Sequence, residues 1–177
     1  MSGRQSLKKD EKRYGRLNII IRNEENRDYR RTGEVAREVF GNLYAPGAVE
    51  HYVIHKMRSH PDFIRELSFV LKMDGVVEGA IFYTHSKVVT PTGEFPTISF
   101  GPVFISPQYH RQGLGRELIE YSIGRAKEMG YAAILTLGYP YPLRTVWILW
   151  RKKIWNFHAG WKVLYRAFGF AASRKCT

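Results

Sequence analysis

SFGPVFISPQYHRQGLGRELIEYSIGRAKEM, residues Ser99 to Met129, carries a strand, a short turn, a glycine-rich loop and an amphipathic helix in immediate succession. Phe100 to Ile105 is an apolar run bounded by Ser106-Pro107, the pattern of a buried strand that stops at proline. His110-Arg111-Gln112-Gly113-Leu114-Gly115-Arg116 then opens a helix with Leu118, Ile119, Ser122, Ile123, Ala126 and Met129 on one face. Such a loop sets free backbone N–H groups at the positive end of a helix dipole, a seat for phosphate. Gly113 and Gly115 lack Cβ, so a pyrophosphate can approach the backbone closely. Glycines at this spacing also serve a plain tight turn into a helix, and that reading stays open. A dinucleotide fingerprint is poorly matched, because Leu118 occupies its third glycine position. A P-loop does not fit, since no Gly-Lys-Ser/Thr follows.

Working outward, Gly130 is placed to end the helix, and Tyr131 to Leu137, YAAILTL, reads as the next buried strand. Strand, helix, strand implies a right-handed parallel crossover. Upstream, Leu67 to Met73 and Val76 to Ser86 flank Asp74-Gly75, a strong hairpin signal. Pro91-Thr92-Gly93 turns the chain into the strand 97–105. Leu17 to Arg22, LNIIIR, is a short β-type run. Asn26-Arg27-Asp28 offers caps for a helix through Phe40, and a second helix runs from Val49 to Arg58. The predicted order, β-αα-β-β-β-α-β, describes an α/β fold with a mixed sheet and helices on its faces. Residues 1–16 read as a flexible basic leader.

The chain of 177 residues is long enough to bury a core as one domain, 17–177. Lys and Arg number 28 against 16 acidic residues, a formal charge of +12 that favours anionic ligands. A phosphorylated coenzyme, nucleic acid and a membrane surface all answer to that charge. Cys176 is the single cysteine, which excludes internal disulfides and a multi-cysteine metal site and favours a reducing, cytoplasmic location. The N-terminus has no apolar signal segment, and no run approaches the roughly 20 apolar residues of a spanning helix. His51 and His55 stand four apart on a helix, but Tyr52 replaces the glutamate of the zinc-protease motif, so no metal is expected.

The strand end Ile105-Ser106-Pro107-Gln108-Tyr109 followed by Gly113-Leu114-Gly115 resembles the coenzyme A loop of the GCN5-related N-acetyltransferases (GNAT), written Q/R-x-x-G-x-G/A after V-x-P-x-Y. His110 stands where that pattern has Gln or Arg. EVAREVFGNLY, EHYVIHKMRSHPDFIREL, FGPVFISPQYHRQGLG and LYRAFGF together are similar to the YhbS-like members, over about 17–140 and 164–175. The resemblance implies a largely antiparallel mixed sheet with a central β-α-β coenzyme A site. It implies transfer of the acetyl group of acetyl-CoA to a primary amine of a small molecule or protein. Backbone groups of Val103 and Ile105 would pair with the pantetheine arm, and a strand N–H near Val103 would steady the oxyanion. The amides of Arg111, Gln112, Gly113, Leu114, Gly115 and Arg116 would cradle the pyrophosphate, beside His110 and with charge from Arg111 and Arg116. Tyr165 would protonate the departing thiolate; a core tyrosine before the Gly-Phe turn is the competing reading. No matched motif carries the base; Glu50, His55 and Glu94 lie in regions that could face the cleft.

The chain departs from that family after Pro140. The segment 141–163, YPLRTVWILWRKKIWNFHAGWKV, holds all four tryptophans beside Arg151, Lys152 and Lys153. It reads either as a basic helix with a tryptophan face that docks on a membrane or partner, or as a helix covering the substrate cleft. Only seven residues follow Phe170, so the family's final strand is either missing or rearranged. Two rival functions follow from these departures: a catalytically impaired binding module of the same fold, and a basic protein that binds nucleic acid or a membrane surface. The expected partners are acetyl-CoA and an amine acceptor, with a homodimer, nucleic acid or an anionic membrane as further candidates.

Overall fold

Asp74 and Gly75 both adopt left-handed backbone, φ 46° and 87°, and join two strands as their sequence predicts. Asp74 Oδ1 accepts the N–H of Asn18 at 2.9 Å, tying the turn to the neighbouring strand. The structure, a computed structural model, describes residues 10–14, 17–41, 49–90, 93–138, 145–150, 153–157 and 162–164. Its elements run β1 (Asp10–Tyr14), β2 (Leu17–Asn23), α1 (Tyr29–Phe40), α2 (Glu50–Met57), β3 (Phe69–Met73), β4 (Val76–Thr90), β5 (Gly93–Ile105), α3 (Leu114–Glu128), β6 (Ala133–Gly138), β7 (Thr145–Trp150), β8 (Lys153–Phe157) and β9 (Lys162–Leu164).

Among the described residues the strands form one sheet in the order β1-β2-β3-β4-β5-β6-β7-β8, with β9 against β4. Each pairing is antiparallel except β5 with β6. The fold is therefore a mixed, largely antiparallel sheet with helices on both faces. Alternation along β4 decides which face each helix covers. Ile81 and Tyr83 join Ile98, Leu114, Leu118 and Ala126 beneath α3. Ala80 and Phe82 join Val35, Ala36, Ile54 and Met57 beneath α1 and α2.

α3 buries Leu114, Leu118, Ser122 and Ala126, while Ile119 and Ile123 pack partly buried on the same core. Met129, expected on that face, is 45% exposed, because the helix ends one residue before it. Buried ion pairs hold the α1–α2 side to the sheet. Arg58 donates to both carboxylate oxygens of Glu24 at 2.9 and 2.5 Å and lies 4.0 Å from the centre of the Tyr29 ring. Arg22 donates to both oxygens of Asp28 at 2.6 and 2.9 Å.

Two expectations are corrected. Asp10–Tyr14, inside the segment expected to be a flexible leader, is a strand paired with Leu17–Ile21. Its DEKRY sequence carries no apolar face, but β pairing needs only backbone groups, and β2 offers a free edge. The tryptophan-rich segment expected to form a helix instead supplies β7 and β8, a hairpin that extends the sheet beyond β6. Val, Ile, Thr and Trp favour the pleated surface over the helix, and the run TVWILW is rich in all four. β9 returns to Lys87–Val89 of β4, and the stretch after Phe170, where a final strand is either missing or rearranged, lies outside the described residues.

Candidate active site

β5 and β6 run side by side for only three residue pairs, Ile98–Ile134, Ser99–Leu135 and Phe100–Thr136. Both strands then continue without pairing each other. β6 goes on to Gly138 against β7, and β5 goes on to Ile105 with Val103 and Ile105 opposite Ile81 and Gly79 of β4. Gly101 and Pro102 mark the separation, where β4 and β5 also slip register. The edge of β5 from Gly101 to Ile105 that faces away from β4 therefore has no strand partner among the described residues. Parallel strands that diverge at their carboxyl ends leave a crevice, the usual ligand position in open α/β sheets.

The loop closing that crevice is built from short bonds. Tyr109 N–H donates to the Ser106 carbonyl at 3.0 Å and His110 N–H to the Pro107 carbonyl at 3.1 Å. His110 Nε2 lies 2.8 Å from the Ile105 carbonyl, which can only accept, so the ring proton sits on Nε2. Gln112 Nε2 donates to the Gln108 carbonyl at 3.3 Å. Arg111, between them, has φ 61°, an uncommon conformation for a residue with a side chain.

Gly113 caps α3 in the left-handed region at φ 85°, and no side chain caps the helix. The first back-bond is Glu117 N–H to the Gly113 carbonyl at 3.0 Å, which leaves the amides of Leu114, Gly115 and Arg116 without an intrahelical acceptor. Two glycines nearby differ in purpose. A Cβ on Gly79 would collide with Ile105 Cδ1 and lie 2.9 Å from the Phe104 carbonyl, so packing demands glycine there. A Cβ on Gly115 would meet only Ile105 Cγ1, at an ordinary 3.7 Å. The protein's own packing does not require that glycine. Without a Cβ there, the end of the helix stays open to close approach from outside.

Arg116 Nε bonds Glu120 Oε1 at 2.8 Å, and that partner raises the Arg116 pKa further; Arg111 has no ion pair among the described residues. On the α1–α2 face, at the start of the crevice, Ser99 Oγ lies 3.1 Å from Thr84 Oγ1 and 2.8 Å from Ser86 Oγ. Sequence reasoning passed over this hydroxyl cluster. Its signal was the alternation of Thr84 with Ser86 and of Thr97 with Ser99 on two strands joined by one turn. Of the three candidate bases, Glu94 pairs with Lys87 at 2.6 Å and His55 is exposed. Glu50 Oε2 is buried, as is the neighbouring His51 Nδ1, and neither has a partner among the described residues. Tyr165 lies outside the described residues. Among the described residues no group of three or more His, Cys, Asp or Glu is placed to hold a metal ion, and no helix is long and apolar enough to cross a membrane.

A mixed sheet split at a parallel pair, with an uncapped helix at the mouth of the split, is the architecture of an acyltransferase. The model of the acetyltransferase (GNAT) family matches residues 34–141, and the chain belongs to that family. A GNAT family acetyltransferase from Brucella melitensis, solved with acetyl-CoA, superposes with a TM-score of 0.68 at 21% identity, over 84% of this chain and 96% of that one. YhbS from Escherichia coli, a GNAT family N-acetyltransferase solved with CoA, gives 0.57 at 24% identity, over 74% and 68% of the two chains. The ribosomal-protein-S18-alanine N-acetyltransferase of the same organism gives 0.51 at 18% identity, over 70% and 69%. At these identities the likeness establishes the shared fold. No curated protein sequence matches the chain significantly.

Proposed function

We propose that the protein transfers the acetyl group of acetyl-CoA to a primary amine of a small molecule or protein, in the cytoplasm, through one domain spanning 17–177. One observation carries this reading: β5 loses β6 as a neighbour after Phe100 and leads through a short loop into α3, whose first amides, those of Leu114, Gly115 and Arg116, have no backbone partner among the described residues. Its two ends suit the two ends of the coenzyme. The open edge of β5 at Val103 pairs with the amides of pantetheine as another strand would. The helix end and the Arg111 guanidinium receive the diphosphate. A neutral amine then attacks the thioester carbon, the C–S bond breaks, and a proton passes to the sulfur as coenzyme A leaves. A strand N–H at Val103 offsets charge developing on the carbonyl oxygen. Tyr165 is the proposed proton donor to the thiolate.

The Brucella and YhbS relatives, solved with acetyl-CoA and CoA, support the choice of co-substrate. Titration calorimetry with acetyl-CoA tests the reading, expecting saturable one-to-one binding weakened by inorganic phosphate. Mass spectrometry then reads the 42-Da increment of acetylation on a panel of primary amines. Absence of both binding heat and a thermal shift with acetyl-CoA overturns it.

A further inference from the structure

We propose that His110 is a positioning residue for the diphosphate loop, acting through the bond from its Nε2–H to the Ile105 carbonyl. The inference rests on the coenzyme A reading above and adds what holds the loop in shape. Residues 110 to 113 are all exposed, so burial does little to fix them. Yet Arg111 is kept at φ 61° and Gly113 at φ 85°, the first in a conformation its side chain disfavours. A residue stays in such a conformation only when its surroundings over-determine it. Among the described residues the side-chain ties across this loop are two. His110 to Ile105 is 2.8 Å, and Gln112 to Gln108 is the longer at 3.3 Å.

The histidine tie joins the last residue of β5 to the residue before Arg111. It fixes the loop against the strand whose open edge lines the crevice, and so sets the distance between the two halves of the site. With the proton on Nε2 engaged by the Ile105 carbonyl, the other nitrogen of the neutral ring has no hydrogen to offer a phosphate oxygen. His110 thus works on the coenzyme through Ile105 and Arg111 rather than by contact.

Three variants of the full chain, titrated calorimetrically with coenzyme A, separate the possibilities. His110→Gln places an N–H donor where Nε2 stands. His110→Asn places one nearer to Nδ1, and His110→Phe keeps a ring without a donor. Expected are affinity near wild type for His110→Gln and a loss of about three- to tenfold for both others, the worth of one net hydrogen bond. Melting temperatures stay at the wild-type value, because the loop contributes little buried surface. Equal affinity in all three variants overturns the proposal, as does recovery by His110→Asn instead of His110→Gln. A fall in melting temperature that tracks the fall in affinity overturns it too, since the ring would then be a general structural support. Failure of the wild type to bind coenzyme A removes the coenzyme reading and this proposal together. The variant pattern alone removes only this one.

Discussion

Tyr83 and Ser122 are both fully buried, and their hydroxyls lie 2.8 Å apart between β4 and α3. Ser122 Oγ also donates to the Ile119 carbonyl at 2.8 Å. A serine has one hydroxyl hydrogen, so Tyr83 must be the donor in the shared bond. The two residues are therefore unequal. Ser122→Ala strands a buried donor, at about 1–3 kcal/mol. The better helix propensity of alanine offsets about 0.5 kcal/mol of that, leaving a net cost of about 1–2 kcal/mol. Tyr83→Phe leaves the Ser122 hydrogen on its carbonyl and costs less than about 1 kcal/mol. The double variant strands nothing and should match Tyr83→Phe alone. Urea unfolding followed by circular dichroism, at unchanged m-value, reads all three.

Alkaline titration gives a second check on the same pair. Burial pushes the Tyr83 pKa up from its ordinary 10.0 to about 12, the Ser122 bond opposing only in part. A raised folded pKa means that stability is complete below pH 10 and declines as the pH climbs to about 12, by about 2–3 kcal/mol for this group. Tyr83→Phe should remove that part of the decline. Equal costs for the two single variants, or a double variant at their sum, would refute the assignment of donor and acceptor.

Gly79→Ala should lower stability by about 1–3 kcal/mol, because the new methyl meets the Phe104 carbonyl, which cannot swing aside as the Ile105 methyl can; the urea midpoint reads this directly. Arg111→Gly should separate stability from binding. Release from the left-handed region returns about 1–2 kcal/mol, glycine's chain entropy takes back about 0.5–1, and the melting temperature holds or rises. Coenzyme A affinity should fall in the same variant for want of the guanidinium. At low pH, Asp28 is the carboxyl to watch. Burial alone would raise its pKa, but the bonds from Arg22 and from the Glu25 N–H, with the charges of Arg22 and Lys72, hold it below the ordinary 3.8. Its contribution is therefore present at neutral pH and lost as the pH falls beneath that value, and Asp28→Asn should flatten the acid limb of a stability–pH curve.

The sequence was most legible where local chemistry and tertiary pairing agree. Asp74-Gly75 demanded a two-residue turn, and Pro107 with Gly113 bracketed the loop between β5 and α3, so those elements fall close to their expected limits. The candidate coenzyme loop was readable for the same reason. The tryptophan segment was not, since an unbroken run such as TVWILW buries equally well as helix or strand, and periodicity cannot choose between them. Only the open edge of β6 decides the matter, and that edge is 10 or more residues away in sequence for much of the hairpin. β1 was hidden by the opposite failing, a polar segment whose sequence carries no strand pattern. His110 looked like a departure from the family pattern because its partner is a main-chain carbonyl five residues back, which no motif records.

The three-rung contact between β5 and β6 has a mechanical meaning as well as a chemical one. It divides the sheet into two plates, one ending at β5 and the other beginning at β6. The seam is Ile98 to Phe100 against Ile134 to Thr136, with one further stitch from the Thr97 hydroxyl to the Ala133 carbonyl at 2.8 Å. By contrast, β4 and β5 are joined at eleven positions, from Gly79 to Thr90. A seam so short is where the sheet opens first, and a ligand filling the gap above it acts as mortar. Amide exchange along β6 should therefore run faster than along β4 in the free protein, and slow more when coenzyme A is added.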